Sequence, residues 1–318
     1  MTDRVAVLEV GGTHVSAAWV DRDGWLVEEL PRAELDPAGD TEQLLAGLAA
    51  AGASLDAPAG TAWGVAMPGP FDYSRGIARY TGVGKFEALT GVDVRSALYE
   101  RLPHQPGSIT FLNDASAFLI GEWLIGTARG ATRCAAVTLG TGVGSAFLDR
   151  GGVVDSGPQV PPEAELHLLS YDGLPLEHWV SRRALRRGYA TRRGLAHDDA
   201  ASGGLRHDVA ASGGLRHDAA RADDADVKEI AELARAGDPA ASAAFDAAFT
   251  VLGEVLGPWL ERFGADQLVI GGSIAGAWDL IARPLRAGLC RHSECRYAIG
   301  PASEPIRSPL VGAAHVAG

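Results

Sequence analysis

The sequence predicts an α/β protein made of two related halves, and three observations carry that prediction. A β-branched, apolar run, Val5 to Val10, ends in Gly11-Gly12-Thr13 and is followed at once by a second run, Val15 to Val20. The same unit recurs about half a chain later, as Ala135 to Leu139, Gly140-Thr141-Gly142-Val143-Gly144 and Ser145 to Asp149. Between and after these units, apolar residues recur at helical spacing. A glycine loop that joins two strands is the opposite of a dinucleotide-binding half, where the loop leads into a helix.

Taken in order, Asp21-Arg22-Asp23-Gly24 is a turn into a third strand. Asp40 followed by Gln43 has the form of a capping box opening a helix from Leu44 to Ala51. Ala62 to Met67 is a strand closed by Pro68-Gly69-Pro70, and Ile109 to Leu112 is a short strand running into Asn113-Asp114. Ala115 to Ile125 follows as a helix. Residues 198–219 hold two near-identical decapeptides, with His197, His207 and His217 recurring. With paired glycines and little apolar content, the stretch 193–222 is expected to be a mobile surface insertion. Val227, Ile230, Ala231 and Leu233-Ala234 have helical spacing, ended by Gly237. Asp238-Pro239 starts a long helix to about Phe263, which Gly257-Pro258 is expected to kink or divide. Leu268 to Ile270 is a buried strand, followed by Gly271-Gly272 and a helix from near Ile274.

Composition sets limits. The chain has 318 residues, 47% hydrophobic and 21% charged, enough for two domains with sizeable cores. A net charge of −12 disfavours nucleic acid as a partner, though backbone amides can still hold a phosphorylated small ligand. Three cysteines, Cys134, Cys290 and Cys295, argue against a disulfide scaffold and fit a reducing compartment. They are read as packed or surface thiols, even with His292 between the last two. The N-terminus has no apolar leader pattern, and no run of about 18 apolar residues predicts a membrane span.

Three motifs carry chemistry. In Glu9-Val-Gly-Gly-Thr-His14, glycines let backbone amides approach an oxygen-rich ligand and Thr13 adds a hydroxyl, although a plain hairpin turn explains the pattern equally. Thr138-Leu-Gly-Thr-Gly-Val-Gly144 is neither a dinucleotide fingerprint nor a Walker A loop, so a different phosphate-binding architecture is required. Leu112-Asn-Asp-Ala-Ser-Ala117 puts a carboxylate at a strand end, where it can accept a proton from a substrate hydroxyl. The competing reading is that Asp114 or Ser116 caps the helix.

The order of these motifs, with Pro68-Gly69-Pro70, Ala236-Gly-Asp-Pro239 and Val269-Ile-Gly-Gly-Ser-Ile-Ala275 between and after them, resembles the ROK family of bacterial sugar kinases and sugar-responsive repressors. The resemblance runs from Val5 to Leu310-Val-Gly-Ala-Ala314 and omits only the insertion. It implies an actin-like ATPase (ribonuclease H-like) α/β fold, with ATP and sugar between two lobes. Residues 1–113 plus 306–318 would form the small lobe and 114–305 the large one. It further implies that Gly11, Gly12 and Thr13 form the first phosphate loop and Gly140, Thr141, Gly142 and Gly144 the second. Gly271 and Gly272 would lie on the adenosine side, with Asp114 as catalytic base and Asn113 and Gly69 at the sugar. A cytoplasmic, Mg2+-dependent, homodimeric kinase is expected.

The sequence departs from the family in three places. Glu9 stands where the first loop usually carries Asp; it can still engage Mg2+ through water. The stretch that commonly holds a Cys-rich zinc loop, Pro162 to Leu168 and Asp172 to Ser181, has no cysteine, so no zinc is expected there and the chain looks like a zinc-less branch. Glu163, His167 and Glu177 are its sugar-binding candidates, with Glu165 able to replace Glu163. Arg79-Tyr-Thr-Gly-Val-Gly-Lys-Phe86 replaces an Asn-containing sugar segment, which leaves the sugar itself open. A non-catalytic sugar sensor is the alternative. Family repressors carry an N-terminal helix-turn-helix, for which a first strand at Val5 leaves no room.

Overall fold

The computed structural model describes residues 3–194, 225–291 and 294–318. The duplicated decapeptide, its three histidines and His292 lie outside the described residues. Two sheets of the same topology form the frame. In the first, β1 (Arg4–Val10), β2 (His14–Asp21) and β3 (Leu26–Glu29) make an antiparallel meander, with β4 (Ala33–Glu34) added to β2. After α1 (Thr41–Ala53), β5 (Ala62–Met67) pairs parallel to β1. A small ribbon, β6 (Phe71–Asp72) with β7 (Ile77–Ala78), and helix α2 (Val94–Arg101) then lead to β8 (Ser108–Asn113), parallel to β5. The sheet order is β3-β2-β1-β5-β8.

Helix α3 (Asp114–Ile125) leads into the second sheet. Here β9 (Arg133–Leu139), β10 (Val143–Asp149) and β11 (Gly152–Val153) are the antiparallel meander. The ribbon β12 (Ser170–Tyr171) with β13 (Leu174–Pro175) and helices α4 (Arg182–Arg192), α5 (Val227–Arg235) and α6 (Pro239–Phe263) follow. Then β14 (Gln267–Gly271) runs parallel to β9, α7 (Trp278–Leu289) crosses over, and β15 (Ala298–Pro301) pairs parallel to β14. The order β11-β10-β9-β14-β15 repeats that of the first sheet, and α8 (Arg307–Val316) follows β15 as α3 follows β8. This is the doubled arrangement of the actin-like ATPase fold.

The strands' period of two sorts the core. On β1, Ala6, Leu8 and Val10 pack under α1 and α2 with Leu44, Leu48 and Leu98. Val5 and Val7 face the other way, onto α3 and α8, which also receive Cys134 and Ala136 of β9. Ala135, Val137 and Leu139 of β9 face the outer helices, with Phe245, Phe249 and Leu285. The α3–α8 pair is therefore the middle layer between two sheets. It packs backbone on backbone: a Cβ on Gly121 would strike the carbonyl of Ser308, and one on Gly312 the carbonyl of Ala117. Nearby, the fully buried carboxylate of Glu122 ties α3 to the segment entering α8. It accepts hydrogen bonds from the amides of Thr127 (2.8 Å), Ser303 (3.2 Å) and Glu304 (3.0 Å) and from the hydroxyl of Ser308 (2.8 Å).

Three expectations change. Helix α6 is continuous through Pro258. Gly253 and Gly257 bring its backbone so close to that of α7 that packing holds it in one piece. By length and composition α6 could also cross a membrane, but 56% of its most apolar stretch is buried in the core. The chain after Gly271-Gly272 enters a 3-10 turn, Ser273–Ala277, and α7 starts only at Trp278, not near Ile274. Cys290 and Cys295 are not separate thiols but a disulfide, with Cα atoms 5.3 Å apart. Cys290 ends α7, and the chain turns back toward β15 there, bringing the two Cβ atoms within reach. Cys134 is a buried free thiol in the middle layer.

Candidate functional site

The two glycine loops, Pro68-Gly69-Pro70, Asn113-Asp114 and Gly271-Gly272 each lie at the end of a strand that pairs in parallel. The N-terminus of α3 is at the centre. Asn113 is its cap: Oδ1 accepts from the amide of Ser116 (3.1 Å), and Nδ2 donates to the Tyr73 hydroxyl (3.1 Å). The competing assignment of the cap to Asp114 or Ser116 is thereby replaced. Asp114, the first helical residue, accepts from the adjacent Ala115 amide (2.9 Å) through Oδ1. Burial, with a smaller push from Glu165, raises the Asp114 carboxyl above the usual carboxylate range, while the Lys85 ammonium restrains the rise. Lys85 belongs to the segment that replaces the family's Asn-containing one. Composition gave no sign of its role, because its direction is set by left-handed backbone at Gly84 and Phe86 on either side.

Around Asn113 lies a polar wall. Gly69 sits where a side chain would meet the Tyr73 hydroxyl, Asn113 Nδ2 and Glu165 Oε1, at 3.4, 3.8 and 3.9 Å from its Cβ. Tyr73 donates to the Met67 carbonyl (3.2 Å) and Tyr80 to that of Pro68 (2.7 Å), which holds the Pro68-Gly69-Pro70 loop against the wall. Glu165 pairs with His167 Nδ1 (3.0 Å), and that bond raises the His167 imidazole. The structure thus brings Glu165, rather than Glu163, beside Asn113. Glu163 is exposed, because Glu163 and Ala164 are both left-handed (φ 56° and 55°) and rotate the chain between them.

The glycine loops flank α3. In the first, the Gly11 amide bonds the His14 carbonyl (2.9 Å), the His14 ring lies over Gly11, and Gly12 faces open space. In the second, Gly144 backs onto Thr138 and lies 3.5 Å, by its Cβ direction, from Ala115. Glu177 does not join the wall around Asn113; its Oε1 accepts from the Val143 amide (2.9 Å) and fills the space beside Gly142. Gly272 (φ 82°) backs onto Leu139, Gly271 onto the Phe118 ring, and Ser273 accepts from Arg182 (3.2 Å) next to Gly140. A Cβ at Gly142 would stand 2.5 Å from Glu177 Oε1. Gly142→Ala is accordingly expected to dislodge Glu177 and raise the KM for nucleotide about tenfold with little change in kcat. An unchanged KM would show that the loop does not depend on this contact.

Glu9 faces the N-terminus of α3 from the end of β1, on the same face as Val5 and Val7. Burial and the charge of Asp114 push its carboxyl up to about 7. Opposite it in the β1–β2 ladder, Ser16 has a fully buried hydroxyl with no hydrogen-bond partner among the described residues. A carboxylate raised by burial and by the charge of a second one, Asp114, beside the buried Ser16 hydroxyl, fits a hard cation held partly through water. No cluster of three or more His, Cys, Asp or Glu side chains suited to a metal occurs among the described residues, so such a cation would draw its other ligands from a substrate.

The raised carboxyl has a thermodynamic consequence. A carboxyl whose folded pKa exceeds its unfolded value stabilises the fold below the unfolded pKa and loses that contribution as pH rises toward the folded one. Here the window runs from 4.5 to about 7. In EDTA, Glu9→Gln should gain stability over wild type across that window, by on the order of 3 kcal/mol at its upper end. His315, lowered by burial, acts in the opposite direction in both proteins; His14, also lowered by burial, lies 3.7 Å from Glu9, so part of the difference comes from its ring. Parallel stability curves would rule out the burial of Glu9.

A family model described as ROK family matches residues 5–318. A glucokinase from Thermotoga maritima is 27% identical over 325 residues, covering 98% of this chain and 94% of its own length. A ROK family glucokinase from Streptomyces griseus, solved in complex with glucose and AMPPNP, superposes with a TM-score of 0.74 at 23% identity, covering 99% of both chains. A ROK family transcriptional regulator homologous to the E. coli MLC protein superposes with a TM-score of 0.72 at 17% identity, covering 98% of this chain and 77% of the regulator.

Proposed function

The chain belongs to the ROK family, and we propose that within it the protein is a sugar kinase that transfers the γ-phosphoryl group of ATP to a hydroxyl of a hexose or related sugar, with Asp114 as general base. One observation carries the reading. Asp114 is a half-buried carboxylate released from capping by Asn113, close to both glycine hairpins and to Glu9.

The sugar lies against Asn113, Glu165, His167 and the Pro68-Gly69-Pro70 loop, so that one hydroxyl reaches Asp114. The raised basicity of Asp114 brings it nearer the pH at which proton transfer is efficient, and the Lys85 ammonium works against that rise. The amides of the two glycine loops hold the phosphates, with Glu177 fixing the second loop. Glu9 and Ser16 would hold Mg2+ on the phosphate side, where it would supply charge neutralisation for the transferring group. The lobes, taken as 1–113 with 306–318 and 114–305, close over the substrates and exclude water that would otherwise take the phosphoryl group. A coupled ADP-release assay over hexoses, hexosamines and their N-acetyl forms, with and without EDTA, tests this. Sugar-dependent, EDTA-sensitive ADP release is expected; none with any sugar would turn the reading to a sugar-binding regulator.

A further inference from the structure

The polar wall does not end at Asn113. Beyond it opens a cavity of about 260 Å3 under the 162–165 turn, which Asn113, Tyr73 and Glu165 share with the sugar site. Asn113 and Ser116 line it and Asp114 does not. Its inner wall is apolar, made by Phe111, Phe147, Val153 and Val154, and Val153 remains 44% exposed. Its rim carries the carboxylates of Asp155, Glu163 and Glu165, and no Lys, Arg or His lines it among the described residues.

That combination selects an occupant. A rim of carboxylates repels a phosphate or uronate substituent. A purely apolar tail would cover those carboxylates and cost their solvation. A neutral sugar ring satisfies both, laying its C–H face on the valine and phenylalanine wall while its hydroxyls donate to the carboxylates. We propose that the preferred acceptor is a disaccharide or other glycoside, whose non-reacting ring occupies this annex while the reacting ring lies between Asn113 and Asp114. The inference rests on the sugar-kinase reading for its orientation but not for the annex itself.

Binding calorimetry and ADP release with glucose, maltose and cellobiose, on the wild type and on Val153→Trp, test it together. The indole would occupy the apolar side of the annex from an exposed strand position, and glucose binding in the variant checks that the shared Asn113, Tyr73 and Glu165 stay in place. At least one disaccharide is expected to bind, and to be turned over in kcat/KM, at least about tenfold better than glucose. Val153→Trp should abolish that advantage and leave glucose within about twofold. No disaccharide better than glucose, or equal losses for both in the variant, overturns the annex while glucose turnover keeps the kinase reading. Disaccharide binding lost in the variant, with no ADP release from any sugar, keeps the annex and overturns the kinase reading.

Discussion

Asp114→Asn lowers turnover by at least about 10² while leaving the melting temperature and sugar affinity nearly unchanged. Asparagine keeps the size of the side chain and an oxygen for the Ala115 amide, and removes only the charge and the basicity. A structural role would survive this substitution, all the more because the cap of α3 is Asn113 and stays in place. If Asp114 is the base, the loss should appear in kcat rather than KM, since a general base takes up its proton as the acceptor attacks and not when it binds. Steady-state kinetics beside thermal unfolding decide the matter. Full activity in a folded Asp114→Asn protein would pass the base role to Glu165, the next carboxylate at the wall.

Glu122→Ala gives the largest loss of stability, about 3–5 kcal/mol by urea unfolding. The carboxylate is fully buried and satisfies three amides and a hydroxyl. Removing it strands four donors where water does not readily reach, and each unsatisfied donor costs on the order of 1–3 kcal/mol before relaxation. Glu122→Gln keeps an acceptor oxygen but aims an amide N–H at the remaining donors, so it should fall between wild type and alanine. A Glu122→Ala protein within about 1 kcal/mol of wild type would mean that the segment after β15 opens and hydrates at little cost.

The parts of this architecture written locally are the parts the sequence disclosed. Strands β1, β2, β5, β9 and β10 announce themselves by period and by their glycine loops, and Asp40 with Gln43 forms the capping box its spacing implies. What the sequence concealed depends on contacts between distant segments or on backbone handedness. Asn113, Asp114 and Ser116 are three good caps within four residues, and the bond from the Ser116 amide to Asn113 Oδ1, with Nδ2 held by Tyr73 40 residues away, shows which one is used. Glu165 displaces Glu163 because two consecutive left-handed residues turn the chain, which composition does not signal. Glu177 reaches the second loop across 34 residues. An odd count of three cysteines says nothing about a local pair, so the disulfide stayed hidden.

The middle layer has a symmetry of its own. On α3, Gly121 receives the backbone of Ser308; on α8, Gly312 receives the backbone of Ala117. Each contact joins a glycine of one helix to the residue one turn before the glycine of the other. Residue i meets j − 4 while j meets i − 4, which is the signature of an isologous interface, here folded into a single chain. The two sheets therefore relate to one another as subunits of a twofold dimer do, with the axis passing between two glycines. A contact of this kind is complete once made: it has no open end onto which a third half could stack, and the duplicated architecture closes on itself rather than extending into an array.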